Sequence, residues 1–281
     1  MSIQSRLAQH SLFSSKTIPE FEEPPEVEEG VVLSYRLGQQ IRFPKVNILD
    51  DVVLKKTNKK SEFDNQKFFS DKVLEQVSHH FPLVYSSYEE KDDNILMMME
   101  KFDGDCDDED IDDIDEFLSF LLQIIMALYT IDSYGKFHGD LNPGNVFYKK
   151  IDEAEEDPTH KGYLKYVIEG QTYYIKHYNK LWVVADFEYT GEKGEVLENS
   201  GKGFDTAFFK RLFREHFDNI KEPVKGSWLY DMYVITHFSK AYKMAERVFN
   251  LMNDGCALNP IEAIPLIIKN EIEHIFIRGE L

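Results

Sequence analysis

Apolar and polar positions along the chain first predict a pair of strands. Two β-branched runs, VVLSY from Val31 and VVLKK from Val52, are separated by Gly38, Pro44 and the turn signal Asp50-Asp51. A helical stripe follows through Phe63, Phe69, Val73, Leu74 and Val77, predicting one amphipathic helix from Ser61 to about His80, with Ser61 as its N-cap. After Pro82, LVYSSYEE and NILMMMEKF read as two more strands joined by the charged turn from Glu89 to Asp93. The run EFLSFLLQIIMALYTIDSYG is apolar on nearly every side, which predicts a buried helix ending at Gly135. YLKYVIEGQTYYIKHY alternates about Glu169-Gly170 as a hairpin does, and LWVVADF reads as a further buried strand. From Phe204 helical patterns dominate to the end. Asn259-Pro260 opens the last stripe, and Pro265 is expected to kink it. The segment from Pro19 to Glu29 is acidic and proline-rich, so residues 1–29 are expected to form a flexible acidic tail.

Composition narrows the class. The chain has 281 residues, 42% hydrophobic and 14% aromatic, enough apolar surface for one large domain or two packed lobes. Its formal net charge of −19 argues against nucleic-acid binding, which depends on Lys and Arg at the phosphates, and favours cationic partners. Cys106 and Cys256 are too few for a disulfide framework and lack zinc-site spacing, so an intracellular, cytoplasmic setting is expected. The opening MSIQSRLAQHSLFSS lacks the continuous apolar core of a signal peptide, and no stretch has the length and apolarity of a membrane span. No membrane partner is expected.

The candidate chemistry lies in FHGDLNPGNVF. It places a carboxylate at Asp140 and an amide at Asn145 on a Pro/Gly loop after the buried helix. Phosphoryl transfer needs a carboxylate to orient or deprotonate the attacking hydroxyl, and hard oxygen ligands to hold magnesium on the phosphates. Asp140 suits the first role. Asn145, with Asp186 at the end of the strand VVADFE, suits the second. His138 reads as a structural residue that packs the loop and bonds backbone. His79-His80 show no metal-ligand geometry, and the acidic run from Asp103 to Glu116 reads first as a solvated turn and helix start. Bordering the segment before it, the same run offers a functional alternative as an attractor of basic substrates.

The order H-G-D-L-N-P-G-N, then a strand ending D-F-E, resembles the catalytic and metal-binding loops of the protein-kinase-like superfamily. That resemblance implies an α+β, bilobal fold: a small β-rich N-lobe with its hinge over 30–102, and a mainly helical C-lobe over 103–281. VVLK ending at Lys55 resembles the strand whose lysine grips the ATP phosphates, and MMMEKFDGD resembles a gatekeeper and hinge. The implied ATP-binding residues are Lys55, its helix partner Glu75 (with Glu62 as the alternative), Met99 as gatekeeper, and Glu100 to Phe102 offering backbone groups to adenine. Asp140 is the implied catalytic residue, Asn145 and Asp186 the implied magnesium ligands, and ATP and Mg2+ the implied cofactors. Asp205 would brace a helix under the catalytic loop.

Two subfamilies compete. The helix and loop LLQIIMALYTIDSYGKFHGDLNPGNVFY are similar to kinase-like proteins of large DNA viruses, generally assigned as Ser/Thr protein kinases, which would place the chain in host cytoplasm or virion. DFEYTG followed by GFD is similar to choline and aminoglycoside kinases, implying a small hydroxyl substrate. Gly139 stands where most protein kinases carry an arginine, Asn142 where they carry a lysine, and Glu188 at the third position of D-F-G. No A-P-E triplet follows and no G-x-G-x-x-G precedes Lys55. These departures keep a catalytically inactive binding module among the alternatives.

Overall fold

A computed structural model describes residues 3–19, 46–49, 51–90, 94–106, 111, 113–141, 143–151, 161–168, 171–192 and 276–278. The fold is mixed α and β. The expected strand from Val31, the region of Gly38, Asn142, Asp205 and the helical patterns between Phe204 and residue 275 lie outside the described residues.

Strand β2 (Val52–Thr57) pairs antiparallel with β1 (Val46–Ile48) on one side and β4 (Ile95–Glu100) on the other. β3 (Val84–Glu89) completes the sheet, in the order β1-β2-β4-β3. All six residues of the interior strand β4 are buried. Its period of two divides them between faces: Ile95, Met97 and Met99 pack with Phe63 and Val84, whereas Leu96 and Met98 join the main core. Cross-strand register pairs Lys55 with Met97 and Val53 with Met99. Lys55 and Met99 therefore share a face, and Glu100, one residue on from Met99, turns to the other.

Helix α2 (Lys60–Leu74) carries Phe69 and Val73 into the core. Its N-cap is Lys59, not Ser61, and makes no side-chain cap bond. Thr57 Oγ1 instead accepts from the Lys59 N–H at 3.0 Å, so the preceding strand supplies the hydroxyl that ends the turn. The helix stops at Leu74, short of the expected His80. Gln76 follows at φ +59°, and the backbone of residues 75–78 folds back onto carbonyls of the last turn.

Residues 3–13 do not behave as a tail: they form helix α1 (Ile3–Phe13). Phe13 stacks on Tyr85 of β3 at 5.1 Å, and Arg6 is fully buried. Helix α3 (Ile114–Ser133) begins at Asp113, whose carboxylate accepts from the N–H groups of Asp115 and Glu116 at 2.9 and 3.0 Å. An N-cap of this kind stabilises a helix by about 1 kcal/mol and gives one acid of the acidic run a structural role. The helix ends before Gly135, which takes the left-handed φ of +70° that terminates helices readily without a Cβ.

Beyond α3 the described residues form several short strands, while the helical patterns expected from Phe204 lie almost wholly outside them. β10 (Lys180–Val184), β7 (Val146–Lys150) and β5 (Gly104–Asp105) form one sheet. β6 (Lys136–Phe137) pairs with β11 (Gly191–Glu192). The predicted hairpin forms as β8 (Tyr163–Ile168) and β9 (Gln171–Lys176), with Ile168 opposite Gln171. β12 (Phe276–Arg278), within the stretch read as helical, adds to β9. The buried Gln123 of α3 holds β10 by its backbone, Oε1 accepting from Trp182 N–H at 3.0 Å and Nε2 donating to Lys180 O at 3.2 Å. Trp182 meets Phe120 edge-on at 4.8 Å, which fixes the strand that leads to Asp186. Among the described residues no helix is long and apolar enough to cross a membrane.

Candidate active site

Strand periodicity puts Lys55 and Thr57 two residues apart on one face of β2, and both reach Glu62 in the first turn of α2. Lys55 Nζ lies 2.6 Å from Glu62 Oε1, and Thr57 Oγ1 donates to Glu62 Oε2 at 2.6 Å. The same ammonium donates to Asp186 Oδ1 at 2.8 Å. The partner on the helix is therefore Glu62, not Glu75. Glu75 sits at the C-cap and pairs with Lys72 at 2.7 Å, on an exposed part of the surface.

Burial opposes charge on both Lys55 and Asp186, yet their mutual attraction prevails. The Lys55 pKa is raised because Asp186 and Glu62 together outweigh desolvation. Burial acts upward on the Asp186 carboxyl, but Lys55, with its hydrogen bond, and the Glu188 N–H hold the pKa below its ordinary value. One ammonium thus faces two carboxylates, and the Asp186 side chain keeps 35% of its surface open to solvent.

The loop carrying Asp140 and Asn145 is stitched to the Asp186 segment through the backbone of a single residue, Ala185. Ala185 N–H donates to Asn145 O at 2.9 Å, and Ala185 O accepts from His138 Nε2 at 2.9 Å. The second bond fixes the histidine tautomer: Nε2 carries the proton, and Nδ1 accepts from Asp140 N–H at 3.3 Å. Burial holds the His138 pKa down to about 4, so the ring is neutral at physiological pH. Asn145 Nδ2 donates to Asp140 O at 2.8 Å and to Asp140 Oδ2 at 3.3 Å. This orients the amide through Nδ2, and Oδ1 takes no part in either bond. Asp186 itself sits at φ +66°, a left-handed conformation that costs a non-glycine residue roughly 1–2 kcal/mol and is held here by its bonded neighbours.

The residues after Asp186 are fastened to α2. Phe187 is fully buried, stacked on Phe69 at 4.7 Å and edge-on to Phe81 at 5.9 Å. Glu188 pairs with Lys59, and Asn65 Nδ2 donates to Thr190 O at 3.4 Å. Gly139 explains its own identity. At φ +86°, a Cβ there would overlap the Tyr189 carbonyl oxygen, so no side chain fits between the two loops.

At the other end of the site Met99 is buried on the Lys55 face. The Glu100 N–H is taken by Leu83 O at 2.9 Å. Its carboxylate points away and receives Arg6, Nε to Oε1 and Nη2 to Oε2, both at 2.8 Å. Phe102 stacks on Phe147 at 5.7 Å, and its N–H has no partner among the described residues, which leaves that group for an external acceptor.

The donor set fits a hard divalent cation: the Asp186 carboxylate and Asn145 Oδ1 are oxygen ligands, and the excess of carboxylate over ammonium leaves negative charge to neutralise. Among the described residues no group of three or more His, Cys, Asp or Glu is placed to hold a metal, so protein ligands alone would not complete the shell. The structure joins Lys55, Asp140, Asn145 and Asp186 in one bonded network, with Met99 on the Lys55 face, and it takes Glu75 and the Glu100 side chain out of the site. Thr57, Lys59 and Arg6 carry no motif that marks them in the sequence. Thr57 was accessible in principle, since it shares strand parity with Lys55. No protein-family model matches the sequence, and no curated protein matches it significantly.

Proposed function

We propose that the chain is an ATP- and magnesium-dependent phosphotransferase of the bilobal kinase-like kind, acting on a hydroxyl group, with Ser/Thr of a protein as the leading acceptor. The observation that carries this reading is the pair of hydrogen bonds that Ala185 makes, one to His138 and one to Asn145. It brings the base candidate, both metal-ligand candidates and the Lys55 ammonium into one network.

In this reading Lys55, held between Glu62 and Asp186, positions the phosphates of ATP. The Asp186 carboxylate and Asn145 Oδ1 would hold magnesium, which supplies neutralisation of phosphate charge during transfer. Asp140 orients the acceptor hydroxyl and takes up its proton. His138 stays neutral and serves as the strut that fixes the Asp140 peptide. Phe102 offers its N–H to adenine beneath the Met99 gatekeeper.

A small hydroxyl acceptor of the choline or aminoglycoside type is the second reading. It is favoured by Gly139: with no side chain able to fit there, the loop lacks the arginine that would receive a phosphorylated activation segment. Transfer of labelled γ-phosphate to casein, histone and the protein itself, beside choline and an aminoglycoside, separates the two. Asp140→Asn tests the mechanism in the same assay. Turnover is expected to fall by about 10²- to 10⁴-fold with ATP affinity nearly unchanged. Equal loss of binding and turnover would make Asp140 a structural or metal residue. No loss of either would remove the phosphotransferase reading and favour an inactive binding module.

A further inference from the structure

Helix α1 reaches the proposed site from behind. Leu96, Met98 and Glu100 lie on the core face of β4, and a carboxylate there is tolerated only with a counter-charge and hydrogen bonds. Arg6 supplies both, and its side chain and that of Glu100 are each 0% exposed. The remaining guanidinium bonds go to backbone: Nη1 to His79 O at 2.7 Å and Nη2 to Phe81 O at 2.9 Å. Leu83 N–H also bonds Glu100 Oε2, at 3.3 Å.

The segment 79–83 gripped in this way touches the metal-ligand strand as well as the hinge. His80 O accepts from Val184 N–H at 2.8 Å, two residues before Asp186. His80 Nδ1 donates to Trp182 O at 2.6 Å, and Tyr166 OH donates to Nε2 at 2.7 Å. Phe81 packs against Phe187, one residue after Asp186. One planar, five-donor side chain therefore fixes the end of β4 and, through 79–83, both flanks of Asp186.

We propose that Arg6 is a positioning residue for nucleotide binding, coupling helix α1 to the hinge and to Asp186. The inference rests on the phosphotransferase reading and deepens it: the N-terminal helix becomes part of the nucleotide site without touching nucleotide. Lysine cannot replace the fork, because a single ammonium cannot span Glu100 and the two carbonyls in a plane.

The test is a titration of the 281-residue chain with a fluorescent ATP analogue and magnesium, with thermal melting alongside. Arg6→Lys keeps the charge, and Arg6→Met with Glu100→Met removes the buried pair while keeping apolar volume, so that at least one folded variant is available. In folded protein either variant is expected to weaken nucleotide binding about tenfold or more, and hydrogen exchange at residues 184–187 is expected to quicken. A folded variant with wild-type affinity and wild-type exchange would show Arg6 to be purely structural and overturn the inference. Wild-type protein that binds no nucleotide would overturn the phosphotransferase reading itself, and this inference with it.

Discussion

Two ion pairs sit about β4, and they are built differently. Arg6 and Glu100 are closed: each is 0% exposed, charges match one to one, and the surplus donors end on backbone carbonyls. Lys55 is open: it faces two carboxylates, one of them 35% exposed, so negative charge is left over where solvent enters. A closed pair is complete in itself and serves as a joint. An open one with excess carboxylate leaves charge to neutralise, a role the proposed function gives to a cation carried with phosphate.

The largest expected effect falls on the closed pair. Arg6→Ala strands a buried carboxylate and should cost about 3–5 kcal/mol of stability in urea unfolding. Lys55→Met should cost less stability than this while lowering turnover about a hundredfold or more through lost positioning, as phosphate-transfer kinetics would record. The reverse order, with Lys55 the more stabilising and Arg6 the more tolerant, would mean that the two pairs do not differ as closed and open. Gly139→Ala comes next. Positive φ and the overlap with Tyr189 O should cost about 1–3 kcal/mol, and the accommodating shift of Tyr189 should reduce turnover in the folded fraction.

A pH-linked effect, modest for any one ring and any one unit of pH, is shared by both regions. Burial holds His80, behind β4, at a pKa of about 3 and His138, in the loop, at about 4, both below the 6.5 of an unfolded histidine. Between pH 6.5 and about 4 the unfolded chain takes up protons that these folded rings refuse, so stability falls as pH falls. Each contributes about 1.4 kcal/mol per pH unit within that window, which denaturation at pH 7, 6 and 5 would measure. A flat profile would mean that the rings are hydrated or paired with acids.

The residues of the open site were legible because each is punctuated locally: Lys55 ends a β-branched run, Asp140 and Asn145 bracket a Pro/Gly loop, and Asp186 ends an apolar strand. Their mutual arrangement needed the backbone. Choosing between Glu62 and Glu75 is a matter of helix phase and length, since thirteen residues turn the helix roughly 220°, and α2 ends at Leu74 in any case. Arg6 was invisible for a different reason. Its partner lies 94 residues on, and the acidic, proline-rich stretch after α1 masks a short amphipathic helix by composition. The extra strands beyond α3 were read in part, as the hairpin and LWVVADF, whereas β12 pairs across the chain with β9 and carries little local signal in three residues.

Whether the open cluster is a magnesium-nucleotide site, as proposed, is tested by calorimetric titration with ATP, with and without magnesium, on wild type and Asp186→Asn. Magnesium is expected to tighten ATP binding to the wild type, and this gain to disappear in the folded variant, because a neutral amide is a poorer ligand for a hard cation. ATP binding that is indifferent to magnesium, or a magnesium gain that survives Asp186→Asn, would contradict it.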